Sequence, residues 1–304
     1  MLALTSRPWP ARALVAVAIC LWGVAAVAPA QVQANRILTS SAVVDGTKEE
    51  PLRWPVALAA ASDDEFAVAD AWKSRLLVFR RVGASWSLER AIALPATPVA
   101  AAHDGRRYLV ALRGRDELAV VDAAAGGGVD RRALPKSVVP GALAALPGGA
   151  LLVWDAASGR LLELRGDEVA VRQTIDETVT ALASDGADGY WVAIGEAGEV
   201  RRYDRVGREL ARWRVPADGP VPAWPAGLAA EVGGRLFVLD RHGHRVVALD
   251  SDGRLAGVGS GRGWEPGLLM LPKGLVRLAG GDLLVGDQGN GRVQSFAIVG
   301  GIGR

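Results

Sequence analysis

The sequence predicts an all-β fold in which one small unit of strands is repeated six times. A short strand-like run recurs along the chain, an apolar run precedes each one at nearly constant spacing, and no long apolar pattern of helical period follows residue 34. Polar or glycine-containing turns separate the two runs, as is typical of β-hairpins. The recurring runs span residues 66–69, 108–112, 151–154, 190–194, 236–239 and 283–286.

The first strand of each unit begins at a proline in five of the six units. These residues are Pro55, Pro98, Pro140, Pro225 and Pro272, and Val179 takes this place in the fourth unit. They lie 39 to 47 residues apart, and a third strand follows each hairpin. Units of three or four short strands with a period of about 40 to 45 residues are typical of propeller blades. The sequence therefore predicts a six-bladed β-propeller over residues 31–304.

The ring needs a fourth strand in its last blade, because an open ring would expose a sheet edge. After the third strand of unit six, which reaches about Ile298, only residues 299–304 remain. The unused strand-like segment is residues 36–44, at the other end of the chain. We therefore expect this N-terminal strand to pair as the outer strand of blade six and to close the ring.

Residues 1–30 have the pattern of a secretory signal peptide. Arg7 and Arg12 precede an apolar run over residues 14–27, and Ala28-Pro29-Ala30 provides a cleavage site, with Val32-Gln33-Ala34 as a second choice. The run is short for a membrane span, although an uncleaved anchor stays open as an alternative. Cys20, the single cysteine, would leave with the signal, so the exported protein has no disulfide. The sequence predicts a periplasmic or secreted protein with no stable membrane insertion after cleavage.

The two arginines of the signal account for the formal net charge of +2, so the exported part is formally neutral. A neutral domain gives no support for nucleic-acid binding. The arginine pairs, such as Arg106-Arg107, are interleaved with acids and are expected to be solvated strand faces.

The last two units resemble the NHL repeat. The resemblance is carried by residues 272–296, by residues 225–246 and by the glycine-rich linker 261–267. Units two and four depart from the pattern, since Arg113 replaces the aspartate that closes the second strand and Val179 replaces the opening proline. NHL proteins form propellers, commonly six-bladed, and most serve as binding modules, while lyases and lactonases share the architecture. The resemblance thus implies a binding module and leaves an enzyme open.

Four units place an aspartate and an arginine five residues apart across one turn. A repeated pair is expected to be structural, because facing ends of a hairpin bring opposite charges together and one active site would not need four copies. In the second unit the pair is reversed, with Arg113 against Glu117. The four pairs are Asp70 and Arg75, Asp155 and Arg160, Asp240 and Arg245, and Asp287 and Arg292.

No catalytic residue, metal ligand or cofactor is predicted. His242 and His244 form the one close histidine pair, but a metal site needs further ligands and only Asp240 stands near in sequence. A metal-dependent propeller enzyme would place carboxylate, histidine or asparagine ligands where the inner strands begin. The residues at those six positions are Trp54, Thr97, Val139, Thr178, Trp224 and Leu271, none of which belongs to these types.

The predicted binding surface surrounds blade six. In a propeller, the segment before the inner strand and the turn between the second and third strands open on one face. The ligand-binding residues predicted there are Trp54, Trp224, Trp264, His242, His244 and Arg262. Exposed tryptophan beside arginine is typical of interface anchors and stacking platforms. The alternative is that Trp54 and Trp224 only cap the channel.

The sequence thus favours an exported, non-catalytic scaffold that binds another exported or envelope protein or an exposed polymer. The alternative is a metal-dependent hydrolase or lyase of the lactonase kind. No oligomeric state is predicted.

Overall fold

The computed structural model describes residues 37–122, 126 and 128–299. The predicted signal peptide, residues 1–30, lies outside them, as does Arg36 of the predicted closing strand. Two short 3-10 helices span Pro147–Gly149 and Gln288–Asn290. Among the residues described, no helix has the length and apolar character that crossing a membrane requires.

The described strands form six antiparallel sheets of four strands each. The first strand in the chain is β1 (Leu38–Val44). Blade one consists of β2 (Pro55–Ala60), β3 (Glu65–Asp70), β4 (Arg75–Val82) and β5 (Ser85–Ala93). Blade two consists of β6 (Pro98–His103), β7 (Tyr108–Leu112), β8 (Glu117–Val121) and β9 (Val129–Ala133). Blade three consists of β10 (Pro140–Ala145), β11 (Leu151–Asp155), β12 (Arg160–Arg165) and β13 (Glu168–Thr174).

The remaining blades follow the same order. Blade four consists of β14 (Val179–Ser184), β15 (Tyr190–Ile194), β16 (Glu199–Tyr203) and β17 (Glu209–Arg214). Blade five consists of β18 (Pro225–Ala230), β19 (Leu236–Asp240), β20 (Arg245–Leu249) and β21 (Leu255–Gly259). Blade six consists of β22 (Leu275–Arg277), β23 (Leu283–Asp287), β24 (Arg292–Ile298) and β1.

The six sheets form a ring around a central channel. The inner strand of each blade contacts the inner strand of the next, and β22 of blade six contacts β2 of blade one. Buried apolar side chains fill the space between neighbouring blades. Phe66 and Phe79 of blade one, for example, stack with ring centroids 5.2 Å apart and pack in one cluster with Leu278 and Leu284 of blade six. The all-β, six-bladed propeller predicted from the spacing is confirmed.

The N-terminal strand closes the ring as predicted. β1 pairs antiparallel with β24, in a register that places Leu38 opposite Ile298 and Val44 opposite Val293. Leu38 and Val44 are buried, as is the preceding Ile37. The edge that β24 would otherwise expose is therefore covered by the start of the chain.

In blades two and four, the prediction of which residue closes the second strand was wrong by one position. Pro98 pairs with Leu112, so Leu112 takes the place of the aspartate and Arg113 begins the following turn. In blade four the sequence count from Val179 predicts Gly195 as the closing residue, whereas Val179 pairs with Ile194 and Gly195 begins the turn. The reason in blade two is a first hairpin one residue shorter than in its neighbours, which a constant count along the sequence does not show.

Blade six departs from the other blades at the start of its inner strand. Pro272 was predicted to open this strand, but β22 begins at Leu275. The Lys273 N–H donates to Gly286 O at 2.7 Å, so the two segments do approach each other before the strand begins. Gly274 then has a φ of 86°, a left-handed conformation that interrupts the regular ladder. Lys273 thus lies in an irregular stretch at the channel.

Three of the four predicted Asp–Arg pairs form buried ion pairs. In blade three, Asp155 instead accepts a hydrogen bond from the Ser158 hydroxyl, and among the described side chains Asp155 and Arg160 form no ion pair. The reversed pair also fails within this part of the chain, since Glu117 faces Arg131 at 3.7 Å. The nitrogen–oxygen distances are 2.9 Å for Arg75 and Asp70, 3.1 Å for Arg245 and Asp240, and 2.8 Å for Arg292 and Asp287.

Candidate functional site

One face of the ring is built from the segments before the inner strands and the turns between the second and third strands. The strand-closing aspartates join these two parts. In blade one, Asp70 Oδ1 accepts hydrogen bonds from the backbone N–H groups of Trp54 at 2.9 Å and Trp72 at 3.2 Å. Blade five repeats this, because Asp240 Oδ1 accepts from Trp224 and Gly243. We call this surface the tryptophan face, and its aspartates act as structural clamps.

Burial raises the pKa of Asp70, and the backbone N–H groups of Trp54 and Trp72 oppose that shift because they stabilise its charged form. The hydrogen-bonding capacity of Asp70 Oδ1 is therefore used by backbone N–H groups of the turn. This arrangement supports the structural interpretation of the repeated aspartates.

Trp54 and Trp224 line one cavity of about 380 Å³ at the mouth of the central channel. The side of the Trp224 indole lies against Gly195, where an added Cβ would come within 2.7 Å of Cε2. The His242 ring packs on Trp224 with centroids 5.4 Å apart, and His242 Nδ1 lies 3.1 Å from Pro222 O. The structure thus brings together three of the six predicted binding residues.

The other three lie around the connection between blades five and six. His244 Nδ1 accepts a hydrogen bond of 2.9 Å from the Leu271 N–H, and burial followed by the charge of Arg262 lowers the pKa of His244. Trp264 is 72% exposed and does not line the channel cavity. Asn290 Nδ2 donates to Gly263 O at 3.0 Å, which ties this connection to the turn of blade six.

The two histidines have separate partners and do not converge on one point. Within the described residues, no group of three or more His, Cys, Asp or Glu side chains is arranged to hold a metal ion.

Sequence reasoning missed Trp72, which is 71% exposed in the turn between β3 and β4. The turn belongs to the tryptophan face, and Trp54, 48% exposed, begins the same blade. His242 and His244 were placed on this face because turns between the second and third strands open there. Trp72 lies in such a turn, so its position could have been predicted from the sequence. Three exposed tryptophans, Trp54, Trp72 and Trp264, therefore share the face.

Sequence reasoning also missed the cations of the channel mouth. Arg113, Arg241 and Lys273 line the same cavity as Trp54 and Trp224. The prediction examined only the residues immediately before the inner strands, whereas Lys273 follows the opening proline and the two arginines begin turns. No lining residue of this cavity is an aspartate, glutamate or histidine. A cavity lined by cations and indole rings is suited to binding anions and flat rings.

The ring of six four-stranded blades defines the protein as a six-bladed β-propeller. No family model matches the sequence, and no curated protein matches it either. Several solved structures share the fold. A Bacteroides thetaiotaomicron protein of unknown function matches with a TM-score of 0.70 at 12% identity, over 86% of this chain and 76% of that chain.

Two further structures have named functions. An auxiliary nutrient binding protein from Bacteroides ovatus matches with a TM-score of 0.64 at 13% identity, over 88% of this chain and 78% of that chain. Streptogramin B lyase matches with a TM-score of 0.62 at 11% identity, over 86% of this chain and 97% of that chain. At these identities the likeness shows the fold alone.

Proposed function

We propose that this protein is an exported, non-catalytic binding propeller that presents its tryptophan face to another exported or envelope protein or to an exposed polymer. The observation that carries the proposal is the exposure of Trp54, Trp72 and Trp264 on one face, at 48%, 71% and 72%. Large exposed indoles are costly to leave in water and are enriched among the residues that anchor interfaces.

The proposal includes two further points, which are that the blades are NHL-like repeats and that the protein is exported. Residues 225–246 and 272–296 carry the repeat pattern, and residues 1–30 carry the signal pattern. The nutrient binding protein of Bacteroides ovatus, which shares the fold, is consistent with a binding role. Cell fractionation, with detection of the protein in periplasm or medium, tests the location.

Site-specific photo-crosslinking tests the binding face directly. A photoreactive phenylalanine derivative is placed at position 72 or 264, and at position 232 as a matched control. Val232 is 82% exposed in the turn between β18 and β19, which opens on the opposite face. We expect irradiation of cells to give a discrete adduct from positions 72 and 264 and none from position 232.

The polymer alternative is tested by affinity electrophoresis through gels that contain soluble envelope polysaccharide. Retardation of the wild type, lost in the Trp72→Ala/Trp264→Ala variant, would identify the polymer as the partner. Equal crosslinking from both faces, or neither an adduct nor retardation, contradicts the proposal.

The alternative of a metal-dependent lyase or hydrolase draws its support from the shared fold of streptogramin B lyase. No observation on the described residues of this chain favours it. Metal analysis of the purified protein separates the two, since stoichiometric Ca²⁺ or Zn²⁺ would favour the enzyme.

A further inference from the structure

One position in each blade contributes to a ring of residues that lines the central channel. It is the residue after the one that opens the first strand of the unit. In five blades this residue is uncharged, and in blade six it is Lys273. The five uncharged residues are Val56, Val99, Gly141, Thr180 and Ala226.

Lys273 is half-buried at the channel. Among the described residues, none forms a side-chain hydrogen bond or ion pair with its ammonium group. Burial lowers the pKa of Lys273, and the charges of Arg241 and Arg113 lower it further. A partly desolvated charge without a partner is unfavourable, and an anionic ligand would supply the opposite charge.

Two arginines stand above Lys273 in a second ring, formed by the first residue of each turn after the second strand. The two arginines hold equivalent positions, because each makes the same backbone hydrogen bond in its blade. Arg113 N donates to Thr97 O, and Arg241 N donates to Trp224 O. Arg113 is exposed, and no described residue forms a side-chain hydrogen bond or ion pair with it.

Neutral groups hold Arg241 in place. Its Nη1 donates to Leu271 O at 2.6 Å and to Pro272 O at 3.3 Å, and its Nη2 donates to Gln288 Oε1 at 2.9 Å. Two of the five N–H donors of a guanidinium remain for a ligand. Glu196, the acidic residue in the turn of blade four, accepts a hydrogen bond of 2.9 Å from the Thr178 hydroxyl.

We propose that the channel mouth binds the oxyanion of a small organic ligand, a carboxylate or a phosphate, between Lys273, Arg241 and Arg113. The body of the ligand lies between Trp54 and Trp224. Its apolar part enters the channel, whose wall below Lys273 is mainly apolar and includes alanines and leucines. The inference concerns a small ligand and goes beyond the docking of a partner on the tryptophan face.

Calorimetric titration of the purified exported protein tests this site. The probes are hexanoate, hexyl phosphate, inorganic phosphate, 1-hexanol and hexylamine. We expect saturable binding of hexanoate or hexyl phosphate and none of the alcohol or the amine, because the site selects an oxyanion. The two anions decide between carboxylate and phosphate, and inorganic phosphate shows what the apolar chain contributes.

The matched variants are Lys273→Met, which keeps the length of the side chain, and Lys136→Met, which removes an exposed lysine outside the cavity. We expect K273M to weaken anion binding by at least about tenfold, the effect typical of losing a charged hydrogen bond, and K136M to leave it unchanged. At the same anion concentration, the bound anion should raise the melting temperature of the wild type more than that of K273M.

Arg113→Met gives a second variant, because Arg113 is exposed and its removal leaves the strand ladder intact. Unchanged anion affinity in both K273M and R113M, equal binding of 1-hexanol and hexanoate, or no saturation by any anion would overturn the inference. The small probes test the channel mouth alone. Anion binding can therefore be absent while crosslinking at positions 72 and 264 succeeds, and it can be present while crosslinking fails.

Discussion

His244 and Leu271 are joined by a hydrogen bond in which two residues with left-handed backbone face each other. His244 has a φ of 54° and Leu271 a φ of 44°, and the Leu271 N–H donates to His244 Nδ1 at 2.9 Å. Gly159, Gly198 and Gly291 hold the equivalent left-handed position in their blades. Blade five therefore uses histidine where a glycine would be less strained, and the bond to Leu271 compensates.

This bond predicts a loss of stability at acidic pH. Protonation of Nδ1 would remove the acceptor, and the folded-state pKa lies below the ordinary value of 6.5, so the unfolded chain binds the proton more tightly. The stabilisation is complete above pH about 6.5 and is lost as the pH falls through the folded-state pKa. Besides burial, Arg262 and Arg241 lower this pKa, while Asp240 and Asp287 raise it.

Urea unfolding between pH 7.5 and about pH 5 checks this prediction. We expect His244→Gly to reduce the dependence of the unfolding free energy on pH, with His103, whose pKa burial also lowers, supplying part of the remainder. His242→Gln, which removes the other imidazole of the turn but leaves the bond to Leu271, is the matched control. A slope unchanged in H244G would contradict the role of this bond.

The buried ion pairs predict that the aspartates are unequal in energy. Asp240→Asn leaves the buried guanidinium of Arg245 without its countercharge and should cost about 3 to 5 kcal/mol. Asp155→Asn removes no ion pair, only hydrogen bonds such as the one from Ser158, and should cost about 1 to 2 kcal/mol. Equal losses in urea unfolding would show that the ion pair adds nothing.

The closing strand can be tested by one substitution on each of its sides. Leu38 is buried against blade five, where an added Cβ at Gly259 would clash with the Leu38 side chain. Leu38→Ala should lower the unfolding free energy by about 2 to 4 kcal/mol. Val43 lies on the exposed side of the same strand, and Val43→Ala should change stability by less than about 0.5 kcal/mol. If L38A and V43A have the same unfolding free energy, the buried side of β1 does not stabilise the ring.

Gly195 offers a test of the wall of the channel mouth. An added Cβ would come within 2.6 Å of Thr180 Cγ2 and 2.7 Å of the Trp224 indole, while the backbone of Gly195 is not left-handed, so Gly195→Ala acts through these two clashes. We expect the variant to fold, to change its near-ultraviolet circular dichroism and to bind hexanoate more weakly. Gly128→Ala is the matched control, because no atom of the described residues lies within 4 Å of the new methyl group. A spectrum identical to wild type would place Trp224 elsewhere.

The repeat spacing was sufficient to predict the blades, because prolines and strand-closing aspartates mark the same points in successive units. The unused strand at residues 36–44 was sufficient to predict closure, because a ring with an open edge is unstable. Arg113 was placed one residue too early because the first hairpin of blade two is shorter, and a residue count cannot reveal a register.

The channel cations escaped prediction for a related physical reason. In the sequence, Lys273 looks like any residue at the start of a strand. It stands out as the charged member of a ring only when the equivalent residues of the other blades are compared with it, which are Val56, Val99, Gly141, Thr180 and Ala226. Arg241 and Arg113 come from different blades, and only the closed ring brings them to one cavity. Trp72, by contrast, could have been placed from its turn alone.

The pairing of β1 with β24 also has a consequence for the order in which the molecule is assembled. Ser41 and Ser295, whose hydroxyls meet at 3.0 Å, are 254 residues apart in the chain. During synthesis β1 is made long before β24, so a chain that still lacks β24 carries unpaired strand edges that favour aggregation. Contacts of such high sequence separation form slowly. Pulse-labelling hydrogen exchange during refolding should therefore protect the amides of β1 last, and a chaperone that shields this strand would raise the yield of folded protein.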